Sequence, residues 1–433
     1  MAMSLAFHIV FAAMGVGMPL LMAIAEGAYL RTGQSVYLDL CKRWARGTAI
    51  LFAVGAVSGT VLSFELGLLW PRFMAFAGAV IGMPFSLEGF AFFTEAIFLG
   101  IYLYGWGRVS PLIHWLSGVL VAISGIFSSI FVVTANAWMN SPAGMKMVDG
   151  QVQEVDPIAA MCNRASFHEV VHMTLGAVVA TAFLVAAVHA FLLRRDRSNP
   201  FHGAAFGLVL AVACVSLPLQ FVSGDLSARA LAWLQPVKLA AMEAHYQTQA
   251  GAPLIIGGIP NDKTMTTAYA LNIPRGLSFL AYHDFNAKVT GLEEFPRDQW
   301  PNVRIVHWAF DLMVGSATLM LVPVVCSIYL RLKRRRLAER KWLLSAIVAA
   351  GPLGFLALET GWVVTEMGRQ PWIIYGVMRT SEAVTPMHGL VVPFVVFTAI
   401  YIFLASVVAL LMRRQFLESV QPIPTQPTEP GRA

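Results

Sequence analysis

Charged side chains are scarce in this sequence: Asp, Glu, Lys and Arg make up 12% of the 433 residues, whereas hydrophobic residues make up 57%. A soluble domain carries about 25% charged residues. So little charge cannot cover a surface that faces water, and the surplus apolar surface requires lipid. The composition therefore excludes an ordinary soluble enzyme and predicts an integral membrane protein surrounded by the lipid membrane.

Cysteine is also scarce. The four cysteines, Cys41, Cys162, Cys214 and Cys326, are scattered without metal-type spacing, which excludes a disulfide framework and a zinc site. The net charge of +6 does not indicate nucleic acid, because the basic residues lie at the ends of apolar stretches. No convincing cleavage site follows the first apolar stretch, so we expect a membrane span there rather than a cleavable signal peptide.

Long apolar stretches are what the sequence has in abundance. A spanning helix needs about 20 mostly apolar residues. We therefore predict an all-α, polytopic membrane bundle of about nine transmembrane helices. The predicted spans lie near residues 5–29, 47–70, 87–106, 111–136, 169–193, 203–224, 305–330, 343–366 and 387–412.

The spans divide the chain into four parts. Residues 1–224 hold spans one to six, 225–303 form a polar insert, 304–413 hold spans seven to nine, and 414–433 form a Pro-rich tail. Lys and Arg favour the cytoplasmic side of a membrane, and the string RLKRRRLAERK between spans seven and eight contains seven of them. We therefore expect the N-terminus and the insert outside, and the C-terminus and the tail inside.

Several spans contain polar side chains or a methionine. A polar side chain is costly inside a membrane and is usually functional. With the predicted topology, all of the residues singled out fall in the outer half of the bundle. A single membrane His or Glu often does no more than hydrogen-bond a neighbouring helix, but a shared depth favours a functional cluster. The residues are His8, Glu65, Glu88, Glu95, His168, His172, Met313 and Glu366.

These residue types permit haem chemistry, because His and Met are axial ligands of haem iron. Glu88 and Glu95 are seven residues apart, so they share one helix face about 10 Å apart; they can pass protons or neutralise a cofactor, or only hydrogen-bond between helices. Trp362 and Glu366 share a face at the end of span eight. That pair suits a haem edge or ligand, although spacing alone favours an interfacial Trp beside a capped helix end.

The insert contains one further candidate pair. In the string KLAAMEAH, Lys238 and Glu243 lie about one and a half turns apart if the segment is helical. A cation and a carboxylate at the membrane edge can bind and deprotonate a hydroquinone. Such a pair is more often simply solvated, and the spacing alone leaves both interpretations open.

Seven strings, in order along nearly the whole chain, resemble subunit I of the cytochrome bd oxidases. The last of them is the most specific. They are FHIVFAAMGVGMPLLMAIAEGAYLRTG, SLEGFAFFTEAIFLGIYLYGW, ANAWMNSPAG, HMTLGA, KLAAMEA, FDLMVGSATLM and GWVVTEMGRQPW.

The resemblance implies the large subunit of a respiratory terminal oxidase, a quinol:oxygen oxidoreductase in the bacterial cytoplasmic (inner) membrane. It would oxidise quinol at the outer face and reduce oxygen to water, building a proton-motive force without pumping. The implied partners are subunit II, ubiquinol or menaquinol, and oxygen, without nucleic acid. A small single-span subunit and the quinone type stay open.

The resemblance also implies three haems: a low-spin haem b, a high-spin haem b, and haem d or a further haem b. His172, chosen over His168, and Met313 would hold the low-spin haem. His8 and Glu366 would serve the two high-spin haems of the oxygen site. The other family positions are Glu88 close to that site, Glu95 as the second acid, Trp362, Arg369, and the quinol residues Lys238 and Glu243.

Three departures from the family matter. The insert is short, as in the branch of which some members are called cyanide-insensitive oxidases. Asp311 stands where well-known members have Arg, and a lost cation should lower the potential of the low-spin haem or alter its propionate pairing. Only seven residues precede His8, so either this segment is shortened or the true start lies upstream.

Two rival functions remain. One is a bd-like oxidase, or a related haem protein with altered oxygen chemistry, whose oxygen site holds haem b alone. The other is a haem-free transporter that uses the buried acids for proton coupling. Such transporters often contain inverted repeats, and no repeat is visible here. A visible spectrum of the purified protein separates these classes.

Overall fold

The computed structural model describes residues 1–148 and 151–418. Of the predicted tail, 419–433 lies outside the described residues. The α-helices are α1 (Ala2–Thr32), α2 (Ser35–Leu69), α3 (Pro71–Tyr104), α4 (Pro111–Asn140), α5 (Pro157–Met161), α6 (Ser166–Arg195), α7 (Pro200–Leu234), α8 (Pro236–Met242), α9 (Gly276–Tyr282), α10 (Val303–Leu332), α11 (Lys341–Ala350), α12 (Leu353–Arg369), α13 (Thr380–Ala383) and α14 (Val391–Glu418).

Short strands occur only in the connections of the described chain, where they form five antiparallel pairs, β1–β2, β3–β8, β4–β7, β5–β6 and β9–β10. The strands are β1 (Lys146–Val148), β2 (Gln151–Gln153), β3 (Gln249–Ala250), β4 (Leu254–Ile256), β5 (Ile259–Asn261), β6 (Thr266–Ala268), β7 (Leu271–Ile273), β8 (Lys288–Val289), β9 (Trp372–Ile374) and β10 (Met378–Arg379).

Nine spans within the described residues are long and apolar enough to cross a membrane, which confirms the predicted helical bundle. The eighth, Lys341–Arg369, consists of α11 and α12. Its interruption follows from Pro352, because proline has no N–H to donate along a helix. Proline also begins α3, α4 and α7, where its missing N–H would be unpaired in any case.

The helices alternate in direction, so the bundle has two ends. The insert between α7 and α10 lies at one of them, which we call the insert end. The first residues of α1, α3 and α6 and the last residues of α2, α4 and α12 lie there as well. We call the other end of the bundle the opposite end.

Three helices, α2, α3 and α7, are much longer than the predicted spans. α2 has 35 residues and α3 has 34, or about 50 Å each, against a hydrocarbon core of about 30 Å. Span three was predicted from residue 87, but α3 begins at Pro71 and continues through Pro84, which neighbouring helices in a bundle can accommodate. Glu88 therefore lies in the middle of α3 and does not open it.

Other boundaries also differ from the prediction. α7 continues to Leu234, so the first ten residues of the predicted insert are helical and the insert proper begins at 235. α4 continues to Asn140, so most of the string ANAWMNSPAG is helix and not loop. α14 continues to Glu418, past the predicted start of the tail.

Small residues allow the central helices to approach closely. A Cβ atom added at Gly17 of α1 would lie 2.4 Å from the Thr181 side chain of α6. One added at Gly354 of α12 would lie 2.6 Å from the Cα atom of Ala180. Since lipid supplies little driving force for helix association, such close packing stabilises the bundle.

The insert packs on the ends of α10 and α12. Residues of α8 and of the segment that follows it, among them Val237 and Met242, form one buried cluster with Val303, Val306 and Val364. The position of α8 is thereby fixed against the bundle, and its polar side chains face buried surroundings on both sides.

Candidate functional site

Lys238 of α8 lies inside the protein, with 3% of its surface exposed. Its Nζ donates a hydrogen bond to Asn140 Oδ1 of α4 over 2.8 Å. Its aliphatic stem crosses Gly368 of α12, where an added Cβ would lie 2.9 Å from Lys238 Cγ. The lysine side chain therefore packs between the ends of α4 and α12.

A chain of hydrogen bonds continues from this lysine into the bundle. The Asn140 side chain donates to Asn136 Oδ1 (3.0 Å) and to Glu169 Oε1 (3.0 Å). Asn136 in turn donates to Glu366 Oε1 over 2.6 Å. Four side chains thus connect the insert with the carboxylate near the end of α12.

Glu366 also pairs with Arg369, whose Nη2 lies 2.6 Å from Glu366 Oε2. Arg369 is 1% exposed, and its Nε and Nη1 have no hydrogen-bond partner within the described residues. A buried guanidinium normally has all of its donors satisfied. Two free donors indicate room for an anionic group at this position.

The electrostatic surroundings of Lys238 oppose its positive charge. Burial lowers its pKa to about 7, and the nearby Arg369 adds to this, while the carboxylates of Glu169 and Glu366 counteract it. Desolvation disfavours the charged form of a buried lysine. Burial of Lys238 therefore favours its neutral form.

Glu243 follows α8 and lies in a different environment, buried with its Oε2 atom unpaired within the described residues. Burial, together with the smaller effect of the negative charge of Asp311, raises its pKa to about 8. Lys238 and Glu243 form no hydrogen bond or ion pair with each other in the described part of the chain. The expected cation–carboxylate pair is therefore two separate sites on one short helix.

Asp311 does not point toward the Lys238 network. Its Oδ2 accepts a hydrogen bond from the Gly257 N–H (2.7 Å) and lies 3.4 Å from His307 Nε2. The fully buried His307 ring also contacts the carbonyl oxygens of Met242 and Gly257 at 2.7 and 3.0 Å. Asp311 thus fixes a turn of the insert beside Glu243.

His172 and His168 of α6 both face α7. His172 Nδ1 lies 2.9 Å from Ser223 Oγ, and Gln220 Nε2 lies 3.2 Å from both ring nitrogens. His168 Nδ1 lies 3.3 Å from Ser227 Oγ, and its Nε2 has no partner within the described residues. A hydroxyl that holds Nδ1 can orient the ring so that Nε2 binds a metal; His168 and His172 both have such a hydroxyl, so these contacts do not distinguish between the two.

Met313 and Trp362 lie where α10, α12 and α1 meet. A Cβ added at Gly361 would lie 3.1 Å from Met313 Sδ, so the glycine makes room for the thioether. Trp362 packs beside Ile9 of α1 and Leu358 of its own helix.

His8 and the two acids of α3 lie deeper in the bundle. His8 Nδ1 lies 2.9 Å from Ser58 Oγ of α2, and Ser128 Oγ donates to Glu88 Oε1 over 3.2 Å. Glu95 packs against Gly125, where an added Cβ would lie 3.4 Å from its Oε1. Gly125 lies in the middle of α4, so Glu95 is at mid-depth and not in the outer half as predicted.

Polar side chains of the spans also lie in the other half of the bundle, outside the set that the sequence singled out. His114 Nδ1 lies 2.6 Å from Glu26 Oε1, and both belong to the half of the bundle at the opposite end. His189 Nδ1 lies 3.0 Å from His202 Nδ1 in the same half. Glu26, His114 and His189 lie within predicted spans and His202 directly precedes one, and none of the four was singled out.

Three network members were also missed at the sequence level, namely Asn136, Asn140 and Glu169. Both asparagines lie in the string ANAWMNSPAG, and their spacing of four residues places them on one helix face. Glu169 directly follows His168 near the start of span five. The sequence could have identified Glu169 as a candidate functional residue, because it is a charged residue inside a predicted span.

The donor set fits haem. His8, His172 and Met313 belong to residue types whose side chains bind haem iron, and the Met313 sulfur packs against Gly361, where a larger residue would displace it. The two unpaired donors of Arg369 match the carboxylates that a haem carries at its edge.

Comparisons with known proteins agree with this geometry. Residues 1–420 match the family described as cytochrome bd terminal oxidase subunit I. The putative cytochrome bd menaquinol oxidase subunit I of Bacillus subtilis is 36% identical, over 95% of this chain and 94% of that protein. The cytochrome bd ubiquinol oxidase subunit 1 of the same organism is 32% identical, over 96% and 92%.

A solved structure gives the same result at the level of the fold. The bd oxidase from Geobacillus thermodenitrificans superposes with a TM-score of 0.91 at 39% identity, covering 96% of both chains. The chain belongs to the cytochrome bd terminal oxidase subunit I family.

Proposed function

We propose that this chain is the large subunit of a respiratory terminal oxidase that transfers electrons from quinol to oxygen. The observation that carries the proposal is the hydrogen-bond chain from Lys238 through Asn140 and Asn136 to Glu366. It connects the insert, where a quinol can approach, with the carboxylate expected at the oxygen site. Relatives named as menaquinol and ubiquinol oxidase subunits support it.

At the insert end, the two buried groups of α8 act on the quinol. Oxidation of a quinol releases two electrons and two protons. Lys238 donates a hydrogen bond to a quinol oxygen when it is charged, and Glu243, with a pKa of about 8, accepts a proton once it is ionised. A catalytic base works best with a pKa near the working pH, and burial gives Glu243 such a value.

Within the bundle, His172 and Met313 would hold a low-spin haem b. His8 and Glu366 would hold the high-spin haem b and the third haem, which is haem d or a further haem b. Haem iron supplies one-electron transfer and, where an axial position is open, the reduction of oxygen. Ser223 orients His172, Ser58 orients His8, and Arg369 fixes the Glu366 carboxylate.

Glu88 and Glu95 would move protons toward the oxygen site. Glu95 lies at mid-depth and Glu88 two turns nearer the insert end, so protons taken up at the opposite end would pass Glu95 first. With the insert outside and the basic connection inside the cell, quinol protons leave outside. This separation builds a proton-motive force across the cytoplasmic membrane without a pump, in a complex with subunit II.

The decisive test compares two lysines of the insert. Lys238→Met should lower quinol-driven oxygen consumption by on the order of 100-fold. Consumption driven by an artificial donor that reduces the haems directly should persist, and so should haem content. Lys263→Met, which removes an exposed lysine of the same insert, should leave both activities unchanged. Equal loss with both donors, or the absence of haem from the purified complex, would refute the proposal.

A further inference from the structure

A basic cavity lies at the opposite end of the bundle, where α10 ends and α11 begins. Its volume is about 630 Å³. Four of its lining side chains are cations and none is acidic. The lining residues are Tyr329, Leu330, Lys333, Arg334, Arg335, Arg340 and Trp342.

The backbone holds these cations in place. Arg335 N donates to Leu330 O (2.9 Å), and Arg340 N donates to Leu337 O (3.1 Å), while the Leu337 side chain lies in the main core. Arg334 has a φ of 54°, in the left-handed region that favours glycine or asparagine. A tight turn alone does not require arginine there, so this position keeps a cation at some cost in backbone strain.

No anion within the described chain neutralises these charges. The four lining cations form no ion pair among the described residues, since the acid of this connection, Glu339, contacts Arg336 (3.5 Å), which does not line the cavity. The Arg340 Nε atom is buried without a hydrogen-bond partner in the same part of the chain. Uncompensated positive charges that converge on one cavity favour an anionic ligand.

The surroundings of the cavity indicate that this anion belongs to a lipid. The Tyr329 and Trp342 rings are 58% and 52% exposed, as expected for aromatic residues at a membrane–water interface. Val325 and Val322 are exposed on the same face of α10 as Tyr329, one and two turns further into the membrane, respectively. An acyl chain can follow this apolar face away from the basic cavity.

We propose that the cavity binds an anionic phospholipid whose headgroup carries two phosphates, of the cardiolipin type. Each phosphate would accept hydrogen bonds from two of the four cations. The acyl chains would lie along Val322, Val325 and Tyr329. Basic sites between membrane helices on the cytoplasmic side are suited to such headgroups.

The test uses the purified complex with its haems and partner subunit, washed free of bound lipid in detergent. Cardiolipin is titrated and counted per complex by native mass spectrometry. Arg334→Gln combined with Arg340→Gln should weaken cardiolipin binding by about fivefold for each charge removed. The control pair, Arg413→Gln and Arg414→Gln, removes two exposed arginines at the same end of the bundle and should change little.

Further arms identify the ligand. Phosphatidylcholine and inorganic pyrophosphate should compete with cardiolipin weakly. Lys333→Gln, a single exposed change in the same cavity, should weaken binding if the double variant is unstable, as judged by its haem content. Equal weakening in the cavity and control pairs, unchanged binding in all cavity variants, or equal competition by pyrophosphate would overturn the proposal.

Discussion

Replacing Asp311 with Asn should shift the pH dependence of quinol oxidation toward acid. Burial, together with the smaller effect of the negative charge of Asp311, raises the pKa of Glu243 to about 8. Asn keeps an oxygen that accepts the Gly257 N–H, which is 2.7 Å from Asp311 in the structure. The change therefore removes a charge and preserves the turn.

The size of the shift follows from the two causes. A like charge nearby raises the pKa of a carboxyl by about one unit, while burial is the larger cause and persists in the variant. We expect the pKa of Glu243 to fall from about 8 to about 7. At pH 7 its ionised fraction would rise about fivefold, from roughly one tenth to one half. A base of lower pKa is intrinsically weaker, so activity at high pH should not rise.

The assay is quinol-driven oxygen consumption measured from pH 6 to pH 10, with Asp284→Asn as the control. Asp284 is an exposed carboxylate of the same insert, so its loss changes the net charge equally. Glu243→Gln should abolish the rising limb altogether. The reasoning fails if the midpoint stays near 8 in Asp311→Asn, or if the control shifts it as far.

The same ionisation predicts how stability depends on pH. A folded-state pKa of about 8 exceeds the ordinary value of Glu, so the folded chain retains a proton that the unfolded chain releases. The contribution of Glu243 to stability is therefore complete below its unfolded pKa and is lost as pH rises through about 8. Asp311→Asn should lower the pH at which this contribution to stability is lost. Thermal unfolding at several pH values measures the change.

Three further predictions concern the proposed site. Gly368→Ala should displace the Lys238 stem, because its Cβ would lie 2.9 Å from Cγ; quinol turnover should fall on the order of tenfold with haem content unchanged. Met313→Leu keeps the volume and removes the thioether, so the low-spin haem should become five-coordinate in visible spectra. Glu366→Ala should lower high-spin haem per mole of protein, whereas Glu95→Gln should retain haem and slow turnover about 100-fold. If Glu95→Gln loses haem while Glu366→Ala retains it, the roles of haem binding and proton transfer assigned to Glu366 and Glu95 are reversed.

The number and order of the spans could be predicted because hydropathy alone specifies them. The helix ends could not. Pro84 suggests a break before span three, yet packing against α4 allows α3 to start at Pro71. The extension of α7 to Leu234 has the same origin, since α8 and α9 cover its last turns. Tertiary contacts, which no local pattern shows, decide these boundaries.

The site was predictable to the extent that its residues lie in recognisable strings. Lys238, Glu366 and Arg369 were named in advance, and the structure brings them into one network. Asn140, which bridges them, was not named. An asparagine at a predicted helix end is usually a cap or a turn residue, and its role here depends on the position of α8, which follows in sequence almost a hundred residues later.

Lys238 of α8 and Glu243, the residue that follows α8, have pKa values that burial shifts in opposite directions. Five residues apart, Lys238 and Glu243 point about 140° away from each other, one toward Asn140 and the other toward Asp311. Burial lowers the pKa of the lysine to about 7 and raises that of the glutamate to about 8. Both shifts reflect the free-energy cost of removing these two groups from water, which the packing of α8 must offset.

Those same values make both groups suited to proton exchange at neutral pH. A lysine that keeps its usual pKa cannot release a proton there, and an ordinary glutamate cannot hold one. The burial that fixes α8 between the insert and the bundle therefore also tunes the two groups for a substrate that loses two protons. Any change that hydrates α8, such as loss of the Val237 and Met242 packing, should move both pKa values apart, toward their ordinary values, and reduce quinol oxidation before the helical bundle itself unfolds.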